Sequence, residues 1–210
     1  MYGGHYFCRK MKQSRKKSKF ELNKKQYPFD IKKYLTVRNF LLLLLLLILY
    51  IIFPKYVQPI ILIAALYPVS LLSIRSTKYV KYLNTEIVTP FTIFIGYVYG
   101  WQWAIFYGFF LGFFMWAQTS LNTLTMINCL TYILSAFLGY WASILYPNAF
   151  MKGYLIAVTI RNVVTFFVFL FFNPDPLENL THTFAAFMTN TILLPLILQV
   201  LYNFLMLITI

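Results

Sequence analysis

Charged residues become rare after Arg38, and this constrains the fold more than any other feature. The 172 residues that follow Arg38 (210 minus 38) contain six Lys or Arg and three Asp or Glu. The whole chain is 60% hydrophobic and 20% aromatic, with a mean hydropathy of +0.70. A water-soluble domain of this size cannot bury so much apolar surface, whereas helices satisfy their own backbone hydrogen bonds in lipid. The sequence therefore predicts an all-α, polytopic transmembrane helix bundle in the cell membrane.

Basic residues are concentrated at the N-terminus. Twelve of the eighteen Lys and Arg lie at or before Arg38, so most of the net charge of +13 belongs to residues 1–39. A lysine-rich segment without a long apolar period is typical of a disordered tail or of one lying on a membrane surface. Because positive segments stay on the cytoplasmic side, we expect a cytoplasmic N-terminus beside the lipid bilayer and no nucleic-acid partner. Met11 is an alternative translation start.

The rest of the chain, residues 40–210, is predicted to be the transmembrane helical domain. A tight external turn is expected at residues 54–56, and the basic loop at 75–86 is expected in the cytoplasm. The number of spans is six or seven, depending on how residues 87–118 cross the membrane. The seven apolar segments are 40–53, 57–74, 87–99, 103–118, 126–145, 154–172 and 183–210.

Small residues recur every four positions between Thr89 and Gln118. On a helix this spacing makes a ridge that lets another helix approach closely, as is common in membrane proteins. The ridge would drift around one continuous helix, so we expect a break at Gly100, where a flexible residue is followed by interfacial tryptophans. The predicted helix-packing positions are Gly96, Gly100, Ala104, Gly108 and Gly112.

A few polar residues stand inside the apolar segments and are the candidate binding residues. Arg161 lies well inside the segment 154–172, where an arginine costs roughly 2.5 kcal/mol or more. It should therefore face water, a partner or a ligand, or reach back toward the side of the membrane that holds Lys152. A site formed by Arg161, Asn162, Asn128 and Asn190 would bind a small polar molecule, including an anionic one, because buried amides and a guanidinium need partners.

The fifth apolar segment should present one polar face to the bundle. Asn128, Thr131, Ser135 and Gly139 follow one another at steps of three and four, which places them on the same side of a helix. We expect this side to point inward.

Cysteine and histidine are too scattered to indicate a metal or a cofactor. Cys8 lies in the basic tail and Cys129 in an apolar segment, while His5 and His182 are far apart in the chain. No paired-cysteine, zinc-protease, nucleotide-binding or serine-hydrolase motif is present. The sequence therefore favours a role other than catalysis, without bound metal or cofactor.

The run TPFTIFIGYVYGWQWAIFYGFFLGFF resembles a pattern in the substrate-binding S components of energy-coupling-factor (ECF) vitamin transporters. The shared features are a polar start, a glycine-bearing turn with an aromatic residue, and a second glycine-bearing helix. The resemblance covers about a third of the chain. It implies a multi-pass subunit of about six helices that captures a small solute and works with a membrane coupling subunit and ATPases.

Two alternatives remain open. The run FPKYVQPIILIAALYPVSLLSI resembles the early region of the rod-shape protein MreD, which implies a membrane scaffold or assembly subunit. Cys129, Arg161 and His182 supply the residue types of a membrane cysteine transpeptidase resembling the exosortase and archaeosortase family. In that interpretation they are the nucleophile, the cation that stabilises negative charge, and the base.

Overall fold

The protein is helical throughout the part that the structure describes. The computed structural model describes residues 37–77, 87–119, 121, 123–172 and 176–209. Of these, 93% are helical and none lies in a strand, so the predicted all-α class is confirmed for them. The basic tail lies outside the described residues except for its last three positions.

Seven helices occupy the described residues. The fourth helix contains a π-helical segment at Phe106–Leu111, and the seventh contains one at Thr189–Leu193. The helices are α1 (Val37–Ile52), α2 (Pro54–Thr77), α3 (Val88–Tyr99), α4 (101–117), α5 (Thr123–Leu145), α6 (Phe150–Phe172) and α7 (176–209). The chain divides into two compact units, Met1–Leu46 and Leu47–Ile210, and the site described below lies within the second.

Four of these helices are long and apolar enough to cross a membrane. Their outer faces carry large exposed apolar side chains, such as Leu72, Trp141 and Phe171, as expected for contact with lipid. The remaining helices are shorter, and α3 has only 12 residues. The candidate spans are Lys55–Ser76, Thr125–Leu145, Phe150–Phe172 and Thr183–Leu207.

The boundary between α1 and α2 differs from the prediction. Only Phe53 separates the two helices, and α2 already begins at Pro54. Proline suits the first position of a helix because its fixed φ is helical and its missing N–H would have no partner there. The expected turn at residues 54–56 is therefore wrong. Gln58 Nε2 donates a hydrogen bond to Tyr50 Oη across this boundary at 3.2 Å.

The break expected at Gly100 is confirmed. Helix α3 ends at Tyr99, and Gly100 has a φ of 95°, a conformation that other residues rarely adopt. Helix α4 starts at the next residue, Trp101, whose ring stacks on Phe137 of α5 at 5.5 Å between centroids. The segment therefore folds as a helical hairpin rather than as one helix.

Helix α3 lies in the interior of the second unit. All ten residues from Val88 to Tyr97 are buried, and the helix packs mainly against α5. Close approach is possible because Gly96 and Gly139 have no side chains. A Cβ on Gly96 would lie 2.7 Å from the Ala136 carbonyl oxygen, and one on Gly139 would collide with the Ile93 backbone.

Aromatic contacts define one end of the bundle. Tyr97 Oη donates a hydrogen bond to the Tyr146 carbonyl at 2.5 Å, and its ring packs against that of Phe150. The Phe150 ring also stacks on Tyr202 of α7, with centroids 4.9 Å apart. We call this end, near residues 146–149, the turn end, and the end of α5 near Thr123 the α5-start end.

Candidate functional site

One side of α6 faces the interior and carries its polar residues. The buried positions follow steps of three and four, which is the pattern of one helix face. They are Phe150, Gly153, Tyr154, Ala157, Val158, Arg161, Asn162 and Thr165. The apolar half of this face lies toward the turn end, and the polar half begins at Arg161.

The guanidinium of Arg161 is held by neutral oxygen atoms on two helices. Its Nη2 donates to Asn128 Oδ1 at 2.7 Å and to Thr131 Oγ1 at 3.2 Å, and its Nη1 donates to Asn162 Oδ1 at 3.2 Å. Only 3% of Arg161 is exposed. Hydrogen bonds from a charged donor are stronger than neutral ones, which offsets part of the cost of burying this charge.

Arg161 extends away from the turn end. It stands eleven residues after Phe150, which is about 17 Å along α6. Asn128, which it contacts, stands seventeen residues before Leu145, or about 26 Å along the antiparallel α5. The guanidinium therefore points toward the α5-start end, and the alternative that Arg161 reaches toward the side of Lys152 is wrong.

A second set of hydrogen bonds orients Asn128. Its Nδ2 donates to Tyr132 Oη at 3.2 Å, and Trp116 Nε1 of α4 donates to the same oxygen at 3.0 Å. Thr131 Oγ1 also donates to the Asn128 carbonyl at 2.7 Å. With its amino group directed to Tyr132, the Asn128 amide presents its oxygen to Arg161.

The glycines of α4 make room for Tyr132. A Cβ on Gly108 would lie 3.0 Å from the Cβ of Tyr132, and one on Gly112 would lie 3.0 Å from its ring. The Tyr132 ring, which is fully buried, therefore packs against the part of the helix that lacks side chains. The glycine spacing and the polar cluster are connected through this residue.

Several buried polar atoms lack a hydrogen-bond partner among the described residues. They include Asn162 Nδ2, Thr165 Oγ1 and Asn190 Oδ1, whose residues are at most 3% exposed. An unsatisfied buried polar group costs about 1–3 kcal/mol. Such atoms in a native structure require an explanation, such as an unseen ligand or water.

The structure brings together three of the four predicted binding residues. Arg161, Asn162 and Asn128 are directly hydrogen-bonded. Asn190 lies in the π-helical segment of α7, where its carbonyl accepts a hydrogen bond from Tyr154 Oη at 3.0 Å. Tyr154 precedes Arg161 by seven residues on the same face of α6, so this contact links Asn190 to the same helix but not to the guanidinium.

Sequence reasoning missed Tyr132, Trp116 and Thr165. Tyr132 follows Asn128 by four positions and Thr165 follows Arg161 by four, so helical spacing from the predicted residues was sufficient to find both. Trp116 had no such signal, because its role depends on the packing of α4 against α5. The expected inward face of α5 is confirmed, since Thr131, Ser135 and Gly139 are buried and Asn128 is half-buried.

The residues of the transpeptidase alternative are only partly described. Cys129 is 2% exposed and lies next to Asn128 in α5. His182 lies in α7, and its side chain is outside the described part of the structure. Within the described part of the chain, no three His, Cys, Asp or Glu side chains are placed to hold a metal ion.

The carboxylates of the chain are not among the described side chains. The acidic residues of the chain are Glu21, Asp30, Glu86, Asp175 and Glu178, and all five side chains lie outside the described part.

Comparison with protein-family models, curated proteins and solved structures finds no match.

Proposed function

We propose that this protein is an integral membrane subunit that binds a small polar solute for transport, as an ECF S component does. The observation that carries the proposal is the Arg161 cluster: Arg161, Asn162, Asn128, Thr131 and Thr165. The guanidinium donates hydrogen bonds to Asn128, Thr131 and Asn162. Two neighbouring polar atoms, Asn162 Nδ2 and Thr165 Oγ1, have no partner among the described residues. A bound solute would supply the missing hydrogen bonds.

The energetic argument favours a ligand over packing alone. Burying a polar group without a partner is destabilising, and a cluster that is only partly satisfied is worse than an apolar one. A membrane helix that needs only to pack can use glycine and apolar residues. The presence of Arg161, Asn162 and Thr165 on one face is therefore better explained by recognition of a polar molecule.

The proposal includes the arrangement in the membrane. Seven membrane segments are obtained when the short helices α1, α3 and α4 complete the four long ones, and six when residues 87–118 cross the membrane differently. We propose a cytoplasmic N-terminus, on the basis of the positive-inside rule, and the cell membrane as the location. As implied by the resemblance, a membrane coupling subunit and ATPases would be its partners.

A scaffold subunit like MreD is the second candidate. It is favoured by one observation: the three hydrogen bonds described from Arg161 all go to side chains of the chain itself. In that case the cluster would fasten α5 to α6 and bind nothing. The cysteine transpeptidase stays a prediction without a structural argument.

Gentle purification followed by native mass spectrometry tests the proposal. The full chain in nanodiscs is expected to retain a small molecule, and Arg161→Ala and Asn162→Ala are expected to lose it. Lys152→Ala is the control. Lys152 is exposed near the turn end, so this variant should keep the ligand.

Two results would contradict solute binding. One is a chain that carries no small molecule and copurifies only with other structural membrane proteins, which would favour the scaffold. The other is retention of the same ligand by both variants at the parent level.

A further inference from the structure

The second half of α7 carries two amide side chains on its outer side. Gln199 Nε2 donates a hydrogen bond to Asn203 Oδ1 at 2.8 Å, and Asn203 is exposed while Gln199 is half-buried. Both residues belong to the candidate span Thr183–Leu207, and Gln199 stands eight residues before its end, or about 12 Å along the helix. Exposed apolar residues such as Leu196 and Leu207 flank the pair. In a membrane these amides therefore face hydrocarbon.

The opposite side of α7 is fixed on the bundle. Leu198 is fully buried, and the Tyr202 ring stacks on Phe150 of α6 with centroids 4.9 Å apart. Each of these two residues of α7 directly precedes one of the amide residues. Successive side chains of a helix point about 100° apart, so the amides are directed away from the packed side. They cannot turn inward unless these contacts break.

The hydrogen bond within the pair leaves part of each amide unused. Gln199 Oε1 remains as an acceptor and Asn203 Nδ2 as a donor, and neither has a partner among the described residues. Lipid acyl chains offer no hydrogen-bonding group, and an unsatisfied polar group in hydrocarbon is costly. The pair therefore requires a partner that supplies one donor and one acceptor.

A second copy of the chain carries the matching pair. Copies in one membrane share an orientation, so a two-fold axis along the membrane normal makes their α7 helices parallel and places each position opposite itself. Gln199 Oε1 of either copy can then accept from Asn203 Nδ2 of the other, which satisfies both amides in both chains. The apolar part of α1, residues 40–49, has no hydrogen-bonding side chain and cannot supply these bonds.

The residues beside the amides continue the same side of the helix. Leu196, Gln199, Asn203 and Met206, which we call the α7 stripe, follow steps of three, four and three, as in the seam between two parallel helices. Leu196 is 67% exposed and Met206 is 39% exposed. One asparagine in such a seam fixes the register of the helices, and Asn and Gln hydrogen bonds join helices in membranes.

We propose that the α7 stripe is a dimer interface, occupied by the same stripe of a second copy of this chain. The amides of Gln199 and Asn203 pair across the interface, while Leu196 and Met206 pack against their counterparts. The inference does not depend on the solute proposed for the Arg161 cluster, since it uses none of the residues of that cluster.

Disulfide crosslinking tests the interface. The full chain with Cys8→Ser, Cys129→Ala and Leu196→Cys would be oxidised with copper phenanthroline in isolated membranes of the expressing cells, where all copies share one orientation. Purification and intact mass then identify the product. The matched control is Ile197→Cys in the same background, because Ile197 is 60% exposed at nearly the same depth but points about 100° away.

The covalent dimer should form about tenfold faster with Leu196→Cys than with Ile197→Cys, since position 196 faces its own counterpart. Adding Asn203→Leu should slow the reaction at 196 about tenfold, which corresponds to the loss of one or two hydrogen bonds between membrane helices. The control substitution is Thr159→Val, which removes an exposed hydroxyl that bonds within α6 and should leave the rate unchanged.

A second pair of positions covers the case in which Leu196→Cys fails to fold, as judged by size-exclusion chromatography. Met206→Cys then lies on the stripe, and Phe204→Cys, at a residue that is 57% exposed, is its control. The same rate difference is expected between these two variants.

Four results would overturn the inference. Equal rates at the stripe and control positions would indicate random collisions, and no covalent dimer at 196 or 206 would mean that lipid or another part of the same chain covers the stripe. A product with the mass of this chain joined to a different membrane protein would assign the stripe to that protein. An unchanged rate after Asn203→Leu would show that the amides do not hold the two copies together.

Discussion

Arg161 Nη2 donates a hydrogen bond of 2.7 Å to Asn128 Oδ1, which joins the middle of α6 to the second turn of α5. The two residues are 33 positions apart in the chain. Because of this contact, the pairing of α5 and α6 depends on a polar interaction as well as on apolar packing. It can be tested by substituting either residue.

Replacing Arg161 should destabilise the protein even without a ligand. Arg161→Ala leaves the oxygens of Asn128 and Asn162 without their charged donor, and the expected loss is about 1–3 kcal/mol. Arg161→Lys keeps the charge but loses the fork that reaches both oxygens, so its loss should be smaller. Thermal unfolding in detergent measures this order. A loss no larger than that of the exposed Lys152→Ala control would contradict it.

Asn128→Asp should separate stability from solute binding. The new carboxylate would accept the Arg161 hydrogen bond as an ion pair, so the melting temperature should stay near that of the parent or rise. The same carboxylate would compete with an anionic group of the solute for the Arg161 guanidinium. We therefore expect the retained ligand to be lost from native mass spectra while the fold persists. Retention of the ligand by this variant would contradict an anionic solute.

Tyr132→Phe should disturb the cluster without removing the ring from its place beside the glycines. The hydroxyl accepts hydrogen bonds from Asn128 and Trp116, and removing this acceptor from two partly buried donors should cost about 1 kcal/mol. Tyr132→Ala also empties the space beside Gly112 and should cost about 3–5 kcal/mol. Urea unfolding in detergent measures both values. Equal losses would show that the hydroxyl, and not the ring, is the main contribution.

Adding one methyl group to the buried glycines should give a graded series. Gly139→Ala should be the most damaging, because its Cβ meets the Ile93 backbone, which cannot rotate away. Gly108→Ala meets the Thr92 side chain at 2.6 Å, and Gly112→Ala meets a ring edge at 3.0 Å. Overpacking costs about 1–3 kcal/mol, so we expect losses in that order, measured as melting temperatures. A larger loss for Gly112→Ala than for Gly139→Ala would contradict the packing described.

Tyr154→Phe should loosen the π-helical segment of α7. The hydroxyl donates to the Asn190 carbonyl at 3.0 Å, in a segment where the regular helical hydrogen bonds are shifted. Its removal should increase hydrogen exchange at residues 189–193 while exchange in α3 stays as in the parent. Unchanged exchange at 189–193 would mean that the segment is held by its other contacts.

Much of the fold follows from apolar patterning. The seven predicted apolar segments correspond to the seven helices of the described residues. The break at Gly100 was predictable because a ridge of glycines that turns around the helix axis cannot stay in contact with one straight neighbouring helix. The start of α2 was misplaced, since proline was interpreted as part of a turn when it occupies the first helical position. Hydropathy reports which residues avoid water, and it locates helix ends only loosely.

The candidate site was predictable in part. Arg161 and Asn162 were found because polar residues inside an apolar helix are costly, and Asn128 was found from its shared face with Thr131. The direction of the Arg161 side chain was not readable, because it depends on which residue of α5 lies opposite. For the same reason, the sequence could not show that Asn190 contacts α6 at Tyr154 and not at Arg161.

The burial of α3 has a consequence for biogenesis. Its 12 residues span only about 18 Å, less than the hydrocarbon core, and the helices that cover it, α5 and α6, are synthesised after it. During translation α3 is therefore in contact only with α4 or the insertion machinery until about residue 172, the end of α6, has emerged from the ribosome. A chain stopped before that point would present an unshielded central helix to the cell's quality-control proteases.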